Sequence, residues 1–565
     1  MTSRPETWPE AVDELLPHTL FSLAEKYPDL TYSEYPKDAL DISKGYRNIT
    51  YREVANAVNA LAWWIEKNVG KPEKDDGSET VVYMGPNDLR YGILVLGSIM
   101  TGYKPLFPTP RYGAEGLNSL IAAASGSIML TPASPFPVVA EVLAIRDMRT
   151  FEIPTLEALL AAEAAQYPYN KTFAAHKHEP FICLHTSGTT GFPKPVIWTH
   201  DWANSAAKGH YLPTPEGYER MDGRMHGSKA RVMFMFPSFH ASGFSGMLFF
   251  PLFTGSVVIY PPFAPDPKGQ IEGLVAALDI LGEEGKVDII AMPPPQTEYL
   301  ASQPELLSRV VSKVKSILWA GGDISVAAGT TIAAQIDLWD DLGSTELGPF
   351  PAVRNLKYAW SRENAGAYWP YMQFHPAMNI RYEPVSDSVE GTLYEAIMVR
   401  NGAAENGGWV QPNFRIYTDA SEVSLGDLFT RHPTEEGLWK YYGRSDELLN
   451  IVTGEKFHPG TAERRVAAHP GVAEAMWVGT RRPRCAFIVR LEEGATVEDI
   501  WPTVEKVSRD SGVVASVRRD MILVVDEPFL KTAKGSVQKK AMLDLYGKEL
   551  DALYAGGESN DTAKS

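Results

Sequence analysis

The sequence predicts an α/β protein: a large N-terminal part built on parallel sheets flanked by helices, then a smaller α+β part. Three observations carry that expectation. At 565 residues the chain exceeds what one hydrophobic core can hold, so at least two domains are expected. Short apolar runs alternate with amphipathic stretches, the pattern of strand–helix–strand units in a parallel sheet covered on both faces. Near Gly443 that alternation gives way to short strands and one helix, which describes a separate small domain.

Taken in order, residues 50–69 predict a helix, because Tyr51, Val54, Val58, Leu61, Ala62 and Ile65 recur at helical spacing. Thr50 and Glu53 make a capping-box pattern at its start. Residues 81–84 read as a short buried strand, 91–100 as an apolar helix, and Leu106-Phe107 as the beginning of another strand. The run Phe181-Ile182-Cys183-Leu184 ends a further buried strand. After it, 202–210 can form a helix, and 232–236, 257–260, 287–292 and 316–320 read as strands. Residues 232–265 contain no Lys, Arg, Asp or Glu, long enough to suggest a membrane span. Pro237, Pro251, Pro261 and Pro262, with Gly243, Gly246 and Gly255, break a helix there repeatedly, so buried strands and turns are expected instead. Beyond Gly443, 476–478 and 486–491 read as strands and 497–508 as a helix. Residues 556–565 are small, polar and glycine-rich, the composition of a linker.

The 44% hydrophobic and 22% charged fractions are those of a soluble globular protein. A net charge of −17 argues against nucleic acid or an anionic membrane as the main partner, while leaving room for a small anion in a locally positive cleft. Cys183 and Cys485 are the only cysteines, which supports neither a disulfide framework nor a zinc site and makes the cytosol the expected setting. The first 29 residues hold no apolar core of a signal peptide.

Behind the strand at 181–184, the stretch Leu184-His185-Thr186-Ser187-Gly188-Thr189-Thr190-Gly191-Phe192-Pro193-Lys194-Pro195 crowds hydroxyls, glycines and a lysine together. Glycines let the backbone turn tightly and bring N–H groups to an anion, hydroxyls add donors, and the lysine adds charge. The stretch is a phosphate cradle. It is not G-x-x-x-x-G-K-[ST], because Gly188 and Gly191 lie three apart and no Gly-Lys pair follows. The order T-S-G-T-T-G-x-P-K resembles the signature loop of the adenylate-forming superfamily: acyl- and aryl-CoA synthetases, adenylation domains of nonribosomal peptide synthetases, and luciferases. More narrowly, Asp88-Leu89-Arg90-Tyr91, Gly102-Tyr103-Lys104 and the ending Lys534-Gly535-Ser536-Val537-Gln538 resemble the adenylation portion of fungal synthetase-like carboxylic acid reductases.

The resemblance extends over about 50–554 and implies a large adenylation domain at 1–445, a small mobile lid at 446–555 and a linker at 556–565. It implies that Thr186, Ser187, Gly188, Thr189, Thr190 and Lys194 contact phosphate. Gly343-Ser344-Thr345-Glu346-Leu347-Gly348 is similar to the second nucleotide motif, in which Ser344 and Thr345 would meet phosphate and Glu346 would bind Mg²⁺ through a hard oxygen. Leu342 stands where the family usually places an aromatic residue against adenine. By its own residues this stretch also reads as a helix N-terminus capped by Thr345. Asp427 corresponds to the carboxylate that accepts both ribose hydroxyls, Arg444 to a ribose or phosphate contact, and Asp446 to the hinge of the lid. Lys534 is the first candidate for the catalytic cation and Lys531 the second, since Ser536 stands where the family's lysine follows glycine. The neighbouring Lys539 and Lys540 read as a solvated basic run.

Acid choice is expected around Phe236-Pro237-Ser238-Phe239-His240-Ala241-Ser242-Gly243. His240 stands where peptide-synthetase domains carry the aspartate that pairs with an α-amine. An imidazole cannot replace a carboxylate as partner for an ammonium, so an α-amino acid is disfavoured. Phe239, Phe244 and the glycines Gly321 and Gly322 suggest a slot for an aryl or related apolar acid, with His240 at its reacting end. The implied activity is ATP- and Mg²⁺-dependent formation of an acyl-adenylate. Transfer to phosphopantetheine on a carrier domain in cis and reduction by an NADPH-dependent reductase would follow, both outside this chain. A free-standing acid–CoA ligase is the nearest alternative, and a non-catalytic binding protein of the same fold is the alternative of another class. Neither a nucleic-acid nor a membrane partner is expected, and the expected location is cytoplasmic.

Overall fold

The structure is a computed structural model that describes residues 8–39, 41–186, 193–224, 230–262, 264–281, 287–364, 367–388, 391–402, 408–452, 456–511, 515–531 and 537–562. Two compact units divide the chain: residues 1–186, 193–379 and 399–421 in the first, and 187–192, 380–398 and 422–565 in the second.

The first unit holds two large sheets. One has six strands in the order Arg149–Glu152, Gly126–Thr131, Thr80–Tyr83, Lys104–Leu106, Pro180–Thr186, Lys194–Thr199. Its first five are parallel, and only Lys194–Thr199 runs back against its neighbour. The other has seven strands, Asp337–Asp341, Val314–Ala320, Val287–Met292, Arg231–Phe234, Val257–Ile259, Thr31–Pro36 and Tyr46–Thr50, parallel except for the last. Apolar runs such as Ile289-Ile290-Ala291-Met292, in the strand Val287–Met292, are buried on both faces, which is why they show no alternation in sequence. The helix Tyr51–Asn68 starts at the expected capping box: Thr50 Oγ1 accepts the Glu53 N–H at 3.2 Å, and the Glu53 carboxylate accepts the Thr50 N–H at 2.7 Å. Val54, Val58, Leu61, Ala62 and Ile65 face the core as their spacing predicts.

The charge-free stretch differs from expectation. Strands Arg231–Phe234 and Val257–Ile259 flank it, but Ala241–Phe253 is helical, in α, π and α pieces. Pro251 cannot donate to the Met247 carbonyl four residues back. A wide π turn sits there, and the Tyr32 hydroxyl donates to that carbonyl instead at 3.3 Å. Gly246 is a packing residue rather than a breaker, since a Cβ there would lie 2.6 Å from the Phe234 ring, whereas Gly255, with φ +72°, follows the helix end. Among the described residues no helix is long and apolar enough to cross a membrane. Both cysteines are free and buried, and burial pushes each thiol up to about 12.

The second unit takes in the hairpin of Ile380–Ser388 and Gly391–Val399 up to Met398, together with the hairpin Glu422–Arg431/Trp439–Arg444, and Leu393, Leu428 and Tyr442 share one apolar cluster with Leu448. Further on, Val472–Val478 pairs antiparallel with Ala486–Leu491, which pairs in parallel with Ile522–Val524. The helix Val497–Asp510 has a second capping box, Thr496 with Asp499. The expected linker is also altered: the helix Gly547–Thr562 runs through Gly556, since no proline interrupts the segment anchored by buried Leu550 and Tyr554.

Candidate active site

The segment expected to cradle phosphate is flanked by two antiparallel strands. Pro180–Thr186 is held in the sheet by buried Phe181, Ile182, Cys183 and Leu184, and Lys194–Thr199 returns beside it. Thr186 and Lys194 are register partners at the open end, and Lys194 is exposed. Ser187, Gly188, Thr189 and Thr190, which the sequence places between them, lie outside the described residues. His185 Nε2 accepts the Thr109 N–H at 3.2 Å, which ties the end of the first strand to the neighbouring turn.

The seven-stranded sheet supplies the next parts from one edge. In a parallel sheet the carboxyl ends of the strands open a crevice where ligands collect. From those ends emerge the segment after Arg231–Phe234, the Gly321-Gly322 turn after Val314–Ala320, and Ser344-Thr345-Glu346 after Asp337–Asp341. The last of these is a tight hairpin, Gly343–Ser344 against Gly348–Pro349, rather than the N-terminus of a helix. Ser344 Oγ accepts the Leu347 N–H at 3.0 Å and closes the turn. Thr345 is buried, and its carbonyl accepts Trp198 Nε1–H at 2.9 Å. Trp198 lies on the strand Lys194–Thr199 and stacks on Trp202 with ring centroids 3.8 Å apart, so one indole joins that strand to the Ser344-Thr345-Glu346 turn. Glu346 is half-buried, and among the described residues its carboxylate has no ion-pair partner. A single hard carboxylate suits Mg²⁺, and Glu346 is the residue that would hold it.

At the same edge, His240 caps the short helix Ala241–Phe244: its Nδ1 accepts the Ser242 N–H at 3.3 Å, which puts the proton of the neutral ring on Nε2. Phe239 is half-buried beside it. Gly321 turns with φ +87° and Gly322 follows, both exposed. Phe244 corrects the sequence assignment. It is 1% exposed, packed on Trp198 and Phe249, so it belongs to the core under the slot rather than to its lining. One acid was missed. Asp341 pairs in register with Ala320, next to Gly321. It is open to solvent yet walled in by protein, and that crowding pushes its carboxyl up to about 7, with Asp222 adding to the shift. Its place before Leu342-Gly343 was the available signal.

In the second unit, Asp427 and Arg444 face each other across a hairpin. Arg444 donates from Nη1 to Asp427 Oδ1 and to the Leu425 carbonyl, each at 3.0 Å, and its Nε lies 3.5 Å from Asp446. Gly426 lies between them with φ +69°, and a Cβ there would come within 2.6 Å of the guanidinium. Burial pushes the Asp427 carboxyl up to about 6, although the Arg444 charge pulls the other way. Asp446 is about half exposed. Lys531 Nζ is 2.6 Å from Glu474, a buried carboxylate that also accepts from Arg490 and the Phe529 N–H. Lys534 lies outside the described residues. Lys539 is not the solvated lysine its neighbourhood suggested, because it pairs with Glu463 at 3.1 Å.

Residues 22–395 match the family described as AMP-binding enzyme, and 446–558 match the AMP-binding enzyme C-terminal domain. The chain is 30% identical to a carboxylic acid reductase of Neurospora crassa over 94% of its own length and 50% of that protein. It is 28% identical to the isocyanide synthase-NRPS hybrid crmA of Aspergillus fumigatus over 96% of its length and 33% of that protein. It therefore spans half or less of these curated relatives. ATP-bound MatB from Rhodopseudomonas palustris superposes with a TM-score of 0.66 at 17% identity, covering 95% of this chain and 100% of that one. On the match over 22–395 and again over 446–558, the chain belongs to the AMP-binding enzyme family.

Proposed function

We propose that the chain activates an aryl or related apolar carboxylic acid with ATP. A carboxylate oxygen attacks the α-phosphorus, the bond to the bridging oxygen breaks, and acyl-adenylate and pyrophosphate result. No protein nucleophile is needed, so the residues bind, orient and neutralise. The observation that carries this is the shared sheet edge: His240, Gly321 and Glu346 all emerge there, and Trp198 links Thr345 to the hairpin of Thr186 and Lys194. In this account Thr186, the loop 187–190 and Lys194 hold phosphate. Ser344 and Thr345 hold it from the other hairpin. Glu346 would hold Mg²⁺, which neutralises the triphosphate. Asp427 and Arg444 take the ribose, and Lys534 is the cation at the reacting groups, because Lys531 is engaged with Glu474. Phe239, His240, Gly321 and Gly322 form the acid slot.

Asp446 is the hinge about which residues 446–555 move for a second step. That step passes the acyl group to a phosphopantetheine thiol on a carrier domain in cis, ahead of reduction by an NADPH-dependent domain. The names of the relatives, a carboxylic acid reductase in Neurospora and an NRPS hybrid in Aspergillus, support a carrier rather than CoA. Thioester formation with a phosphopantetheinylated carrier and with free CoA tests it. Acyl transfer to the carrier and not to CoA is expected; transfer to CoA alone makes the protein an acid–CoA ligase.

A further inference from the structure

We propose that Asn87 is a positioning residue for the acid-binding segment, holding His240 in place from a distant turn. The proposal rests on the acid-slot assignment above and deepens it. Asn87 lies between the strand Thr80–Tyr83 and the helix Arg90–Met100, in the other sheet of the first unit from the slot. Its side-chain oxygen accepts from both the N–H and the hydroxyl of Ser238, each at 2.6 Å, across 151 positions of sequence. Ser238 is 1% exposed, so these bonds are shielded from water.

Both ends of this contact are rigid. Next to Asn87, the Asp88 carboxylate is buried and accepts from the Arg90 N–H, Nε and Nη2 within 3.1 Å. That ion pair fixes the turn carrying Asn87. Beyond Ser238, the His240 N–H donates to the Pro237 carbonyl at 2.9 Å, and Phe244 N–H donates to the His240 carbonyl at 2.8 Å. A Cβ on Gly243 would stand 2.1 Å from the Pro237 oxygen, so the chain folds back against itself without slack. A shift at Ser238 is therefore passed to His240 two residues on. The buried Asp88–Arg90 pair has a clear task here: it holds the acceptor that aligns the acid segment.

Acid-dependent ATP–pyrophosphate exchange with the full chain tests this, using Asn87→Ala, Asn87→Asp and Ser238→Ala, with a thermal midpoint for each. Asn87→Ala is expected to lower kcat/KM for the acid about 10- to 100-fold, the scale of a small misplacement at a reacting group. KM for ATP should stay within about twofold, because the nucleotide motifs lie on other strands. Asn87→Asp keeps the acceptor and should stay near wild type. Ser238→Ala keeps the backbone bond and should fall between, with the Asn87→Ala/Ser238→Ala pair no worse than Asn87→Ala alone. Wild-type exchange with Asn87→Ala indistinguishable from it, or with the acid and ATP constants changed equally, overturns the proposal alone. A wild-type protein inert across all acids overturns it together with the slot assignment.

Discussion

A buried carboxylate that must stay charged works against its own fold, and Asp427 is one. Its value of about 6 lies above the ordinary 3.8 because burial outweighs the attraction of Arg444. Ionising it opposes folding: the penalty is absent below the ordinary value and complete once the pH passes about 6. Asp427→Asn should therefore unfold at an equal or higher Tm at pH 7.5, while raising KM for ATP about tenfold or more by losing one charged acceptor of ribose hydroxyls. KM for ATP in the wild type should climb as the pH is lowered through about 6, and that limb should be missing in Asp427→Asn. The two lysines separate in the same assay. Lys534→Ala should lose exchange about 100-fold or more, as removal of a transition-state cation does. Lys531→Ala should keep exchange within a few-fold and lower Tm, because it strips one of the two cations from buried Glu474.

Elements were legible where one local rule decided them. Thr50 with Glu53 marked a helix start, and the run at 287–292 marked a buried strand. Ala241–Phe253 was not legible, since its prolines and glycines argue locally against a helix. Part of its support is distant: the Tyr32 hydroxyl donates to the Met247 carbonyl, which Pro251 cannot serve, from more than two hundred residues away in sequence. Tyr32→Phe should cost about 0.5–1.5 kcal/mol, the net worth of one buried hydrogen bond, read as a lower denaturation midpoint. A loss no larger than that of a surface substitution would show that the carbonyl finds another donor. The bonds from Trp198 to Thr345 and from Asn87 to Ser238 escaped notice for the same reason, spanning 147 and 151 positions. Phe244 was misplaced because an aromatic beside a histidine looks the same in sequence whether it lines a slot or floors it.

For the whole chain, motif order carried most of the functional account: phosphate loop, Glu346, Asp427 and Arg444 follow one another as the resemblance implies, and the family match covers 22–395 and 446–558. The change of pattern near Gly443 falls just before the second matched segment, 446–558, whereas the apolar cluster that joins Leu393 and Leu428 to Leu448 leaves no local sign in the sequence. No motif names the acid, which the proposed slot of Phe239, His240 and the Gly321-Gly322 turn would choose. Its chemistry is therefore the most direct test of the central claim. Acid-dependent ATP–pyrophosphate exchange should be measured over benzoic, cinnamic, aliphatic and α-amino acids. Exchange with aryl acids and none with free α-amino acids is the predicted result; strong exchange with an α-amino acid, or none with any acid, would contradict it.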